Sequence, residues 1–174
     1  ILHLVYINIL QKSICLELRM IEQLKELTQS KYLLLTESGD QAIWLAITSV
    51  KAINHKPVFL IPDQSGWFSY LKYPKKIGFQ LSEVKTDYGI IELNDLKEKA
   101  LDSAGFIYQN PAGYFAEQPT EEIYNVCKGK CLVIKDISGG IGDLRLSKSS
   151  DSDFLVCSFG KWKNNFNKNN LLAQ

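Results

Sequence analysis

Between residues 32 and 158 the chain alternates short apolar runs with longer amphipathic ones, and this alternation limits the possible folds more than any other feature. Tyr32–Thr36, Pro57–Pro62, Gly78–Val84, Gly105–Tyr108, Cys131–Asp136 and Phe154–Ser158 have the length and the β-branched, aromatic and leucine content of buried strands. Between them, Gln41–Ile53, Gly66–Tyr73, Leu93–Ala100 and a segment opening at Thr120-Glu121-Glu122 carry helix signals. Pro74 is expected to end the second of these and Asn94 to cap the third, while Thr86-Asp-Tyr-Gly89 reads as a turn. Upstream, Ile14, Leu18, Ile21 and Leu24 recur at helical spacing among Glu17, Glu22, Lys25 and Glu26, which predicts an amphipathic helix over 13–28. Strands and helices in strict alternation specify a three-layer α/β/α fold with a mostly parallel sheet. In such sheets ligands bind beyond the C-terminal ends of the strands.

Composition removes several classes of function. The 174 residues, 45% of them apolar, suffice for one well-buried core but not for two ordinary domains. Twenty basic and 19 acidic residues, spread along the chain, leave no electrostatic footprint for nucleic acid or an anionic membrane surface. Gln11, Lys12 and Ser13 interrupt the apolar N-terminal stretch, so it falls short of the roughly 20 residues of a membrane span. No basic residues precede that stretch and no small-residue cleavage site follows it, which points to a cytoplasmic protein. Cys15, Cys127, Cys131 and Cys157 contain no C-x-x-C pair, and His3 and His55 have no neighbouring candidate ligands, so no metal site is expected. Cys131 and Cys157 lie inside strand-like runs and read as small buried apolar residues.

Polar residues collect at the C-terminal ends of the predicted strands. Asp136 closes one strand; Ser158 closes another and is followed five residues later by Lys163. A carboxylate, a hydroxyl and an amine so placed supply three groups that pyridoxal phosphate needs: an anion for the pyridine nitrogen, a phosphate ligand, and a Schiff-base amine. Lys161 is the rival for the last role. Ser38, Gly39, Asp40 and Gln41 stand at the start of a helix, where free N–H groups and the positive dipole end favour a phosphate; an ordinary turn with Asp40 as N-cap would give the same pattern. Trp67 would either stack on a flat ligand or pack in the core.

Taken together, these segments resemble the large domain of fold type I pyridoxal-phosphate enzymes, most closely the DegT/StrS-like sugar aminotransferases, from about Leu16 to Lys163. Glu37-Ser-Gly-Asp-Gln-Ala42 is similar to the S-G-T-A-A phosphate segment, with Asp40 where the family has Thr. Pro62–Trp67 is similar to the segment that sets an aromatic ring over the pyridine, one residue longer here. Gln109-Asn110-Pro-Ala-Gly resembles the N-P-x-G loop, whose Asn bonds the cofactor's phenolic oxygen. Val133-Ile-Lys-Asp136 resembles V-I-E-D, and Ser158-Phe-Gly-Lys-Trp-Lys163 resembles S-F-x-x-x-K. Gly139 stands where the family often has Gln.

The resemblance implies a pyridoxal-phosphate-dependent aminotransferase, with Lys163 as Schiff-base lysine, acting on a small-molecule amino donor and a keto acceptor such as a keto-sugar. It also implies a homodimer, since the family's pocket lies between two chains. Family members continue past the lysine into another strand and a small domain, whereas 11 residues, mostly Asn and Lys, follow Lys163 here. Residues 1–163 thus read as an incomplete large domain with an open sheet edge, and 164–174 as a polar tail. The alternative function is a catalytically silent remnant that only folds or self-associates. The apolar segment Ile1–Leu10 would either cover the open edge or pair with a second chain.

Overall fold

The computed structural model describes residues 4–8, 14–110, 118–143 and 145–159. The strands are β1 (Leu4–Asn8), β2 (Tyr32–Thr36), β3 (Val58–Pro62), β4 (Gln80–Val84), β5 (Thr86–Asp87), β6 (Ile90–Ile91), β7 (Ser103–Gln109), β8 (Leu132–Asp136) and β9 (Phe154–Ser158). The helices are α1 (Ile14–Thr28), α2 (Gly39–Ile53), α3 (Phe68–Ile77), α4 (Leu93–Ala100) and α5 (Thr120–Cys127). Seven strands form one sheet in the order β2-β1-β9-β8-β7-β3-β4, every neighbouring pair parallel. Parallel neighbours need crossover connections, and the helices that provide them cover both faces. The chain has the three-layer α/β/α fold its alternation predicts.

Alternation along each strand divides the core. On one face, Ala42, Ile43, Ala46, Ile47 and Val50 of α2 pack with Phe59, Ile61, Ile107, Ile134, Phe154 and Val156. On the other, Leu96, Ala100, Ile123 and Cys127 of α4 and α5 meet Leu60, Phe106 and Val133, while Leu24 of α1 meets Leu155 and Cys157. Each fully buried Leu, Ile or Phe contributes about 1.5–3 kcal/mol of transfer free energy. Cys131 and Cys157 are buried, as expected of small apolar residues. Gly105 is where α2 comes closest to the sheet: a Cβ there would lie 2.8 Å from Val50 Cγ1 and 2.9 Å from Phe59 Cε2.

Three local expectations are corrected. Helix α3 does not stop before Pro74 but runs through it to Ile77, ending at Gly78 in the left-handed region (φ 90°). Proline forfeits one helical N–H bond, yet Tyr70 and Pro74 are both buried on the same side of α3, and that packing outweighs the loss. Helix α4 has Glu92, not Asn94, at its N-cap. Asn94 sits inside the first turn, where Asp95 accepts the Lys85 N–H at 2.9 Å and pairs with Lys99 at 2.6 Å. The predicted turn at 86–89 holds a small antiparallel hairpin, β5 with β6, whose corner residues Tyr88 and Gly89 have φ of 48° and 86°.

The fourth correction concerns the sheet edge. β9 is not left open: β1 fills the place beside it, with Leu4 level with Phe154 and Asn8 with Ser158. The same strand pairs on its other side with β2, Leu4 level with Tyr32 and Asn8 with Thr36. Of the two roles expected for the N-terminal segment, residues 4–8 take pairing within their own sheet. The edges are β2 and β4.

Lys135 is the core's least expected member. Two positions after Val133, it points to the α4–α5 side and is fully buried. Its ammonium donates to the Asp151 carboxylate and, at 2.7 Å, to the Lys148 carbonyl. Burial depresses the lysine pKa while Asp151 opposes the shift. Removing one partner of a buried pair strands the other charge. Asp151→Ala is therefore expected to lower stability by about 3–5 kcal/mol in urea unfolding, and the double variant Lys135→Met/Asp151→Leu to recover most of that loss.

Candidate functional site

Because the strands are parallel, Pro62, Asn110, Asp136 and Ser158 all arrive at one edge of the sheet. Asp136 is 5% exposed and faces the α2–α3 side of β8. Tyr70 of α3 donates its hydroxyl to Asp136 Oδ2 at 2.8 Å, and the Ser138 N–H donates to Oδ1 at 2.8 Å. Ser138 also reaches the next strand, its Oγ accepting the Ser158 N–H at 2.9 Å. On the other side, the Asn110 N–H donates to the Asp136 carbonyl at 3.1 Å. Burial and the Asp136 charge raise the Tyr70 pKa well above the usual phenol range, so this hydroxyl remains a donor. A carboxylate tied by two donors keeps a fixed orientation at the strand end.

Asn110 is the anomaly of the site. It is 3% exposed, and neither its Nδ2 nor its Oδ1 has a hydrogen-bond partner among the described residues. Buried carboxamides are ordinarily satisfied, and leaving one unpaired costs about 1–3 kcal/mol per group. The backbone of Asn110 is tied to Asp136 while its carboxamide keeps an unused donor and acceptor.

The predicted phosphate segment is brought against Ser158. A Cβ on Gly39 would lie 2.6 Å from Ser158 Cβ and 2.9 Å from Ser158 Oγ, so only glycine lets the start of α2 come this close. The Gly39 and Asp40 amides have no carbonyl partner within the helix and stand where the chain passes Ser158. Asp40 is not the N-cap. Ser38 takes that role, its Oγ accepting the Gln41 N–H at 3.1 Å, while Gln41 Oε1 accepts the Glu37 N–H at 2.9 Å. The Asp40 carboxylate instead accepts a hydrogen bond from Ser69 and ties α2 to α3. Ser38 and Gln41 therefore shape the helix start with their side chains and leave the anion-binding character to the backbone.

Trp67 does not pack in the core. It is 53% exposed at the N-cap of α3, its ring 5.5 Å from that of Phe68. Lys163 and its rival Lys161 lie outside the described residues, as does the 164–174 tail. Asp136, Asn110, Ser158 and the Ser38–Gln41 turn thus come together, with Trp67 at the rim of α3. Two contributors went unread in the sequence, Tyr70 and Ser138. The only signals were a buried-type tyrosine, whose hydroxyl needs an acceptor, and a serine two positions after a strand-end aspartate, the spacing of a side-chain-to-backbone turn.

No protein family profile and no curated protein sequence matches the chain. Solved structures do. Cysteine desulfurase from Thermococcus onnurineus NA1 superposes with a TM-score of 0.64 at 16% identity, covering 82% of this chain and 38% of that one. A D-glucosaminate-6-phosphate ammonia-lyase gives 0.61 at 13% identity, over 86% of this chain and 46% of the other. Ureidoglycine-glyoxylate aminotransferase from Bacillus subtilis gives 0.53 at 20% identity, over 71% and 34%. The chain spans less than half the length of each, and at these identities the likeness is one of fold. It agrees with the large-domain architecture implied by the resemblance to pyridoxal-phosphate enzymes and does not single out the DegT/StrS type. No helix among the described residues is long and apolar enough to cross a membrane.

The contact between α2 and β9 can be tested directly. Gly39→Ala is expected to destabilise the fold by about 1–3 kcal/mol through overpacking, and Ser158→Gly in the same background to return part of it, a positive coupling in a double-mutant cycle read from thermal melts.

Proposed function

We propose that this chain is the cofactor-holding domain of a pyridoxal-phosphate-dependent enzyme, and that its reaction is transamination between an amino donor and a keto acceptor such as a keto-sugar. The observation that carries this reading is the buried Asn110 carboxamide, unpartnered among the described residues, in a segment whose N–H bonds to the Asp136 carbonyl. The residues present suit the cofactor: a fixed anion, an unused amide donor, and a hydroxyl against a helix N-terminus. When bound, pyridoxal phosphate supplies an electron sink for the charge left at the substrate's α-carbon.

Each residue has a separate task in this reading. Asp136, held by Tyr70 and Ser138, faces the pyridine nitrogen and keeps its proton in place, since a nearby carboxylate favours the protonated ring. Asn110 Nδ2 donates to the phenolic oxygen. Ser158 Oγ and the first amides of α2 receive the phosphate. Trp67 covers the ring from the exposed side of α3. Lys163 Nζ would hold the cofactor and would serve as the general base and acid that moves the substrate's proton.

Absorbance and peptide mapping test the assignment. Mixing with pyridoxal phosphate is expected to give a visible band that borohydride fixes on Lys163. Lys163→Ala should lose that band while Lys161→Ala keeps it; the reverse pattern moves the role to Lys161. Asp136→Asn should still bind cofactor but not turn over, because an amide does not hold the ring proton as a carboxylate does. No band at all would favour the silent-remnant alternative.

The assembly we propose is a homodimer in which a second copy covers the site's rim. Trp67, Phe68 and Leu71 at the start of α3 are 53%, 54% and 49% exposed, and the β5–β6 corner, where Tyr88 is 80% exposed, approaches the same segment through Gly89 and Ser65. An apolar cluster of this size beside a ligand site suits a partner surface. Light scattering is expected to report a dimer that Trp67→Ser/Phe68→Ser weakens; a monodisperse monomer of the unmodified chain removes the proposal.

A further inference from the structure

At the opposite end of the sheet, away from the site above and independent of it, lies a second group of reactive side chains. Cys127 is the last residue of α5, and Cys131 stands just before β8. The turn between them, Lys128-Gly129-Lys130, is allowed by Gly129 in the left-handed region (φ 75°). The Cys127 carbonyl accepts the N–H of both Lys130, at 2.9 Å, and Cys131, at 3.0 Å. Such a closed i,i+4 turn sets the two Cα atoms about 6 Å apart, inside the roughly 4.4–6.8 Å that disulfides span.

Access to the pair is unequal. Cys127 is fully buried among Leu96, Ile123 and Val133, whereas Cys131 is 5% exposed and lines a cavity of about 270 Å³. Lys128, Lys130, Asn54 and Asp153 line the same cavity. A small reagent entering there meets Cys131 first. The adjacent Cys131 side chain, followed by burial, raises the Cys127 pKa, so Cys127 keeps its proton until the second step.

We propose that Cys127 and Cys131 form a redox-active dithiol, closed to an intramolecular disulfide by a low-molecular-weight disulfide that reaches Cys131 through this cavity. The Cys131 thiolate attacks one sulfur of the reagent, whose S–S bond breaks to release one thiolate and leave a mixed disulfide on Cys131. Cys127 then gives up its proton and attacks Cys131 Sγ, expelling the second thiolate. The protein dithiol is oxidised, and the reagent is reduced to two thiols. The ring closed spans only five residues, so the cross-link constrains the unfolded chain little and chemical mapping is the informative readout.

Reduced protein is incubated under native conditions with glutathione disulfide, alkylated with iodoacetamide and digested with trypsin. Trypsin cuts after Lys128 and Lys130, so the peptides bearing Cys127 and Cys131 stay joined only if bridged. The expected result is that joined pair, formed before Cys157 reacts and with an intact mass lower by two hydrogens. Cys127→Ser should instead retain one glutathione on Cys131, and Cys131→Ser should leave Cys127 unmodified. The proposal is overturned if both cysteines of the unmodified chain are alkylated, or if the bridge forms only in urea. The unmodified chain alone decides the matter should a serine variant fail to fold.

Discussion

Parallel hydrogen bonding across all seven strands is the constraint on which the rest of the structure depends. It sends every strand's C-terminal end to the same edge and requires a crossover between neighbours, so helices cover both faces and the strands become apolar throughout. A polar residue then fits most readily at a strand's end, and the ends are together. Asp136, Asn110 and Ser158 meet for this reason although they are spread over nearly fifty positions of sequence. The same geometry places Cys131 and the Lys128–Lys130 turn at the other edge, where the strands begin.

Within the site, the hydrogen bonds form one connected chain. Tyr70 and Ser138 hold the two oxygens of Asp136, and Ser138 passes the connection to Ser158, against which Gly39 rests. Burying a carboxylate is costly unless donors meet it, and two donors, one of them a backbone amide, offset much of that cost. The result couples α3, β8, β9 and the start of α2, so the orientation of Asp136 and the approach of α2 to Ser158 are set by the same few contacts. Asn110 joins it only through its backbone N–H, its carboxamide having no partner among the described residues.

The sequence carried much of this architecture. β2, β9 and α4 fall on the residues their patterns indicate, because each is a strongly patterned run flanked by turn residues. Asp136 and Ser158 were legible because a strand end is itself a local feature. Helix α3 was misread at Pro74, where burial overrode a local rule, and Asp40, the alternative cap for α2, gives way to Ser38, whose Oγ accepts the Gln41 N–H. Tyr70 escaped notice because its acceptor lies 66 residues away, a separation no local pattern reports. The place of β1 was open for the same reason: its partners, Tyr32–Thr36 and Phe154–Ser158, are set by the assembled sheet.

That inserted strand has a metrical effect. By register, Thr36, Asn8 and Ser158 stand level, so β2 ends two strand spacings, about 10 Å, from the residue that Gly39 must touch. Only Glu37 and Ser38 lie between Thr36 and Gly39, and three extended Cα steps reach about 10 Å. Ser38 is indeed extended, at φ −154° and ψ 157°. The linker is short, and β1 acts as a gauge block that sets the span it must cross. In a sheet without that strand, β2 would lie against β9, the linker would be slack, and nothing in its length would hold the mouth of α2 to Ser158.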